Sequence, residues 1–267
     1  MKKITAFILI LCLCLTLCGC GTTSYHVKTV QTLVSQDYSL AFRDGDPLYF
    51  YVTAGLKIAA ARGIVDELAI KWFGSKCISF ESDATALDEL GLPEPRTFII
   101  GVDINSFPLA YMSNDTFWGY DIELASAVCE ILGWELKAQS IEKENVYNEL
   151  ASGNIDCAWG GIALNEKELD NKLYVQYGPY MHNDIVIATN RSSTNMNKLN
   201  LRGKTLAVPS TPEAIEAIKS DPSLERKLKN VIRVVGGAAE CFNYLYTGQC
   251  DAILTDTAAM LFYNSRS

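Results

Sequence analysis

Four clusters of residues could hold a small polar molecule. Asp103, Ser106 and Phe107 follow the β-rich run Thr97–Val102, and Trp159 ends the run Ile155–Trp159, with Gly160, Gly161 and Ala163 after it. Ser210 and Thr211 stand immediately before Pro212, and Asp256 follows the run Asp251–Leu254. Carboxylates, hydroxyls, aromatic faces and bare backbone N–H groups at strand ends and helix starts are the groups that converge on a reversibly bound solute. Each has a plainer reading beside it. Asp103 and Asp256 can cap the turn or helix that follows, Phe107 and Trp159 can be core, and Ser210 and Thr211 can cap their helix while still touching a ligand.

Covalent chemistry has little support. The sequence holds no G-x-S-x-G and no H-E-x-x-H, and its one S-x-x-K, Ser140 to Lys143, begins in a predicted strand rather than on a helix. Only His26 and His182 are present, and the cysteines lack metal-ligand spacing, so neither a metal site nor a cofactor is expected. A net charge of −8 without a basic cluster argues against nucleic acid as a partner.

The first twenty residues read as a targeting segment. Lys2 and Lys3 precede an apolar run, Ile4–Leu17, too short to span a bilayer comfortably, and Leu17-Cys18-Gly19-Cys20 then fits a lipoprotein cleavage box. Cys20 is the expected lipidation site and membrane anchor; an ordinary cleaved secretory peptide is the alternative. Setting aside Cys12, Cys14, Cys18 and Cys20 leaves Cys77, Cys129, Cys157, Cys241 and Cys250, an odd number that implies at least one free thiol. About 247 residues remain beyond Cys20, enough for two lobes with a core in each.

These lobes must position the candidate groups through alternating strands and helices, the pattern of a parallel α/β sheet. Strands are predicted at Thr97–Val102, Glu135–Ile141, Ile155–Trp159, Ile185–Thr189, Thr205–Val208, Val231–Val235 and Asp251–Leu254. Asp121 is placed to cap a helix whose apolar face is Ile122, Ala125, Val128, Cys129 and Leu132 and which stops at Gly133. Pro212 opens another helix, and Gly153 and Gly248 each end one. Upstream, Asp44-Gly45-Asp46-Pro47 is a turn; Leu48, Val52, Leu56 and Ala59 recur at helical spacing, Gly63 interrupts, and Ile64, Leu68 and Trp72 resume.

Two stretches resemble one family in reversed order. SQDYSLAFRDGDPLYFYVTAGLKIAAARGIVDELAIKWFG, Ser35–Gly74, resembles the closing segment of extracellular solute-binding proteins of family 3, the receptors of amino-acid-type ABC importers. FIIGVD, GYDIELA, LASGNIDCAWGGIALNEKE, GPY, LNLRGKTLAVPSTPEA and LYTGQCDAILTD, between Phe98 and Tyr263, resemble its beginning and middle in family order. The resemblance implies a circularly permuted, two-lobed α/β fold of the periplasmic-binding-protein type II class; a fragment spanning two tandem copies gives the same order. It implies lobe 1 over 38–187, with a new connection at about 75–96, and lobe 2 over 21–37 and 188–267. The hinge is expected near Ser39–Ala41 and Ile187–Thr189.

The same resemblance sets expectations for the site. Receptors for α-amino acids usually carry Ser or Thr where this chain has Ala163, and where it has Glu168 they carry an Arg that grips the ligand carboxylate. Asp256 resembles the family's acceptor for the amino group. The usual aromatic after the first strand is Ser106 here, with Phe107 one place late, and Lys143 stands where an aromatic or apolar residue is frequent. A cleft faced by Asp103, Glu168 and Asp256 favours a ligand with a cationic group. The function implied is a monomeric, lipid-tethered receptor that passes a small polar solute to an ABC permease. A ligand-sensing or docking module, or an enzyme of dehydratase type on the same scaffold, is the alternative.

Overall fold

The computed structural model describes residues 26–164, 174–193 and 201–266. Cys20 and Glu168 lie outside the described residues. Two five-stranded mixed sheets dominate the molecule. The first contains β2 (Asp37–Arg43), β3 (Thr97–Val102), β7 (Glu135–Ser140), β8 (Cys157–Ala158) and β9 (Tyr174–His182), in the order β7-β3-β8-β2-β9. The second contains β1 (Val27–Val34), β10 (Ile185–Asn190), β11 (Thr205–Pro209), β12 (Asn230–Val234) and β13 (Ala252–Asp256), in the order β1-β10-β13-β11-β12. In each sheet a parallel portion is extended by antiparallel strands.

Chain crosses between the halves at 35–36, from β1 to β2, and at 183–184, from β9 to β10. These crossings lie a few residues N-terminal of the expected hinge positions, because β2 and β10 each stay wholly within one sheet. A third, three-stranded sheet, β4 (Asn105–Ser106), β5 (Ala110–Ser113) and β6 (Thr116–Trp118), follows β3; its strands, β1 and β9 are not among those predicted from the sequence.

Helices α1 (Leu48–Ala61) and α2 (Ile64–Phe73) pack on the first sheet. Leu48, Val52 and Leu56 share a core with Phe98, Ile100 and Val102 of β3, although 75–96 separates them in sequence. Full burial of a leucine such as Leu56 stabilises the packing by roughly 2 kcal/mol. Gly55 permits a close approach to α3 (Tyr120–Leu132), where a Cβ on it would meet Val128 Cγ1 at 2.8 Å. The connection 75–96 is a packed strap: Phe80 stacks on Tyr177 and Tyr180, Lys57 pairs with Glu81 at 2.6 Å, and Trp134 Nε1 donates to the Glu94 carbonyl at 3.1 Å.

The first half also carries α4 (Val146–Ser152). On the second half, α5 (Pro212–Lys219), α6 (Pro222–Lys227), α7 (Gly237–Tyr246) and α8 (Thr257–Asn264) cover the sheet. No helix among the described residues is long and apolar enough to cross a membrane. Cys77, Cys129, Cys157, Cys241 and Cys250 are all free thiols.

Candidate functional site

A cavity of about 530 Å³ lies between the two halves. From the first half it is walled by Tyr38, the Asp103–Phe107 loop, Tyr111, Lys143, Gly161 and Ala163; from the second by Thr211, Glu213, the Val235–Ala239 turn, Thr255 and Asp256; and at the crossings by Gln36 and Asn183. Strand ends and helix starts meet there, as the residue types suggest.

Asp103 begins an Asx turn, its Oδ1 accepting from Asn105 N at 2.9 Å, and burial, with Glu213 nearby, holds its carboxyl above the usual range. Ser106 Oγ donates to the Gly161 carbonyl at 2.9 Å. Gly161 has φ +67, and a Cβ there would stand 2.1 Å from Ser106 Cβ, so the turn admits only glycine. Phe107 joins an aromatic chain that crosses the molecule, edge-on to Tyr111 at 5.1 Å and to Phe262 of α8 at 4.7 Å. Ala163 bridges to Tyr38, and Tyr38 is itself buried.

On the opposite wall, Thr211 caps α5 by accepting from Ala214 N at 3.3 Å. Asp256 caps α8, its Oδ1 accepting from Ala259 N at 2.9 Å, so the capping role holds alongside its place in the cavity wall. Burial pushes the Asp256 carboxyl up to about 6, with the Asn183 side chain and helix-start N–H groups pulling back. The Tyr38 hydroxyl is raised by burial and then by the charges of Asp256 and Asp103.

Three expected site residues stand elsewhere. Trp159 is fully buried in the core of the first half, on the same face of the sheet as Cys157, as strand alternation dictates. Gly160 is engaged through its carbonyl, which accepts from Asp103 N at 3.1 Å, and does not line the cavity. Ser210 is exposed outside the cavity, its N–H tied to the Val234 carbonyl at 2.9 Å; Thr211 is the residue of the pair that faces inward.

Asp121 also differs from its expected role. Gly119 occupies the cap position of α3, and Asp121, the second residue of the helix, is buried with Oδ2 accepting from Gly161 N at 3.0 Å and from the Tyr180 hydroxyl at 2.8 Å. Sequence reasoning missed Tyr38, Asn183, Thr255, Glu213 and the α7 start at Gly236–Ala239. The last was detectable as a Gly-Gly pair between a strand and a helix, but no hydroxyl marks it as a cap.

A cavity between two α/β halves joined by two crossings, walled by strand ends and helix starts, is the kind of cleft in which a small molecule can be enclosed. Residues 98–235 match the family model of bacterial extracellular solute-binding proteins, family 3, and the chain belongs to that family. It is 25% identical over 135 residues to the arginine-binding extracellular protein ArtP of Bacillus subtilis, covering 49% of this chain and 51% of that one. It is also 25% identical over 109 residues to the probable amino-acid-binding protein YxeM of the same organism, covering 40% of each. The chain therefore spans about half the length of these curated relatives. A solved polar amino acid ABC uptake transporter substrate-binding protein from Streptococcus thermophilus aligns at 27% identity and TM-score 0.47, over 60% of this chain and 61% of that one.

Proposed function

We propose that this protein is the receptor of an ABC importer, capturing a small polar solute with a cationic amino group between its two halves. The charge of the cavity wall is the observation that carries this reading. Among the described residues, Asp103, Glu213 and Asp256 line the cavity against one cation, Lys143, whose ammonium is 3.8 Å from Glu213. Asp103 and Asp256 remain to meet a ligand. A charge-assisted hydrogen bond in a cleft that shuts out water is stronger than the same bond in solvent.

The names of these relatives, arginine-binding and amino-acid-binding, support a ligand of this class. No catalytic step is assigned to the site. Tethering through Cys20 and delivery to a permease belong to the same reading, as do the lobe boundaries and the circular permutation. The packing of α1 and α2 against β3 supports the permutation, since these helices come from the segment resembling the family's end.

Calorimetry with L-arginine, agmatine and L-glutamate, on the wild type and on Glu168→Arg, tests the reading. Binding of the two cationic compounds with rejection of glutamate is expected of the wild type, and gain of glutamate binding is expected of the variant. Tight wild-type binding of glutamate that the substitution leaves unchanged overturns the preference. Release of a Cys20→Ala variant into the soluble fraction is expected if Cys20 is the anchor.

A further inference from the structure

Beneath the cleft lies a buried polar cluster centred on Asp121. Asp121 is fully buried, and its Oδ2 receives both the Gly161 N–H and the Tyr180 O–H. Gly161 is a wall residue of the cavity and is also held from above by Ser106. Tyr180 stands on β9 three positions before the crossing at 183–184. Two residues beyond Gly161, Ala163 bridges to Tyr38, which lies just past the other crossing. The strip Trp159–Ala163 is thus fastened at two points to the two strands that enter the crossings.

We propose that Asp121 is the positioning residue of the cleft, its carboxylate setting the height of the Trp159–Ala163 strip against the strands that lead into the hinge. This rests on the cleft being the binding site, although its first readout needs no ligand. A neutral acceptor could take the same two hydrogen bonds at a lower desolvation cost. What the charge adds is shorter and stronger bonds, and so a more narrowly fixed strip.

The groups facing Asp121 are Tyr180 of β9, Tyr38 of β2, Tyr120 of its own helix and Trp159 of the strip, and none is cationic. Burial without a counter-charge raises the Asp121 carboxyl to about 7, with the bonds from Tyr180 and Gly161 and the nearby Trp159 N–H opposing the rise. Strip position and Asp121 charge therefore change together near neutral pH.

The test uses the ¹⁵N-labelled protein and follows the Gly161 amide from about pH 5 to about 9. A sigmoidal shift is expected in the wild type, and a flat trace in Asp121→Asn. In Tyr180→Phe, which removes one bond that favours the charged form, the midpoint is expected to move up; this variant decides the matter if Asp121→Asn does not fold. A wild-type trace that is flat, or one reproduced in Asp121→Asn, overturns the proposal. Calorimetry with L-arginine as probe is the second arm, with affinity expected to fall by about tenfold in Asp121→Asn and to lose its pH dependence around neutrality. Unchanged arginine affinity with a lowered melting temperature would show a purely structural residue and also overturn it. Absence of arginine binding by the wild type counts against the cationic-ligand reading, and the Gly161 titration still decides this one.

Discussion

Lys143 and Glu213 face each other across the cleft, with 3.8 Å between ammonium and carboxylate oxygen and each side chain about a third exposed. One comes from the first half and the other from the first turn of α5, so the pair is broken whenever the cleft opens widely. Solvent screening limits its worth to under about 1 kcal/mol. A double-mutant cycle on Lys143→Gln and Glu213→Gln, read by thermal unfolding, should return a coupling of that size that vanishes in about 1 M salt. A larger coupling that survives salt would mean the pair is far less exposed in solution.

Asp256 combines capping with a site role, and the two can be separated. Asparagine keeps the cap, so Asp256→Asn should leave stability near or above that of the wild type around neutral pH. The sign follows from burial. A carboxyl raised to about 6 binds protons more readily folded than unfolded, so its contribution to stability grows as pH falls through that value and is lost above it. Affinity for L-arginine should drop by about tenfold or more in the variant, and in the wild type should decline below about pH 6. Calorimetry across that range checks both.

The crossings carry a pH-dependent clasp. His182 Nδ1 is 2.7 Å from Asp37 Oδ1 and Nε2 is 2.8 Å from Asp184 Oδ1, while Ser35 Oγ also donates to Asp184 at 2.7 Å. A neutral imidazole has a single N–H and cannot donate to both carboxylates, so both contacts call for the charged ring. Asp37 and then Asp184 hold the His182 pKa above its ordinary value. Its stabilisation is therefore complete below about pH 6.5 and is lost as pH rises through the raised value. The melting temperature of the wild type, compared with that of His182→Gln, should lose its advantage over that rise; equal offsets at low and high pH would rule out the clasp.

Gly161→Ala should be costly for a local reason. Its φ of +67 and the 2.1 Å approach to Ser106 Cβ together imply a loss of at least about 1–3 kcal/mol, seen as a lowered melting temperature. Ser106→Gly in the same chain should recover part of the loss by relieving the contact and none of the backbone strain. No recovery would place the whole cost in the backbone.

The strong periodic signals of the sequence became elements with little change. The apolar repeat of Leu48, Val52, Leu56 and Ala59 is buried, and the strand at Thr97–Val102 has its expected bounds. What failed depended on tertiary context. Asp121 reads as a cap because an acid at a helix start usually is one, yet here the chain folds Gly161 and Tyr180 over it. Trp159 follows a strand as a cleft residue would, but the alternation of β8 puts it on the Cys157 face, in the core. Tyr38 and Asn183 owe their place in the cavity to the crossings, and no local pattern marks a crossing.

The strap 75–96 has a consequence for how the molecule is assembled. Because it ties α2 to β3, every strand of the first sheet, from Asp37 to His182, lies on one unbroken stretch of chain. The second sheet needs β1 from before that stretch and the other four strands from after it. The first sheet can therefore make all its strand pairs from that one stretch, although Ala258 of α8 is needed to complete the core beneath it, whereas β1 has no partner until β10 is made. Among the described residues, the first strand in the chain thus finds its partner only beyond the whole of the first sheet, on the far side of both crossings.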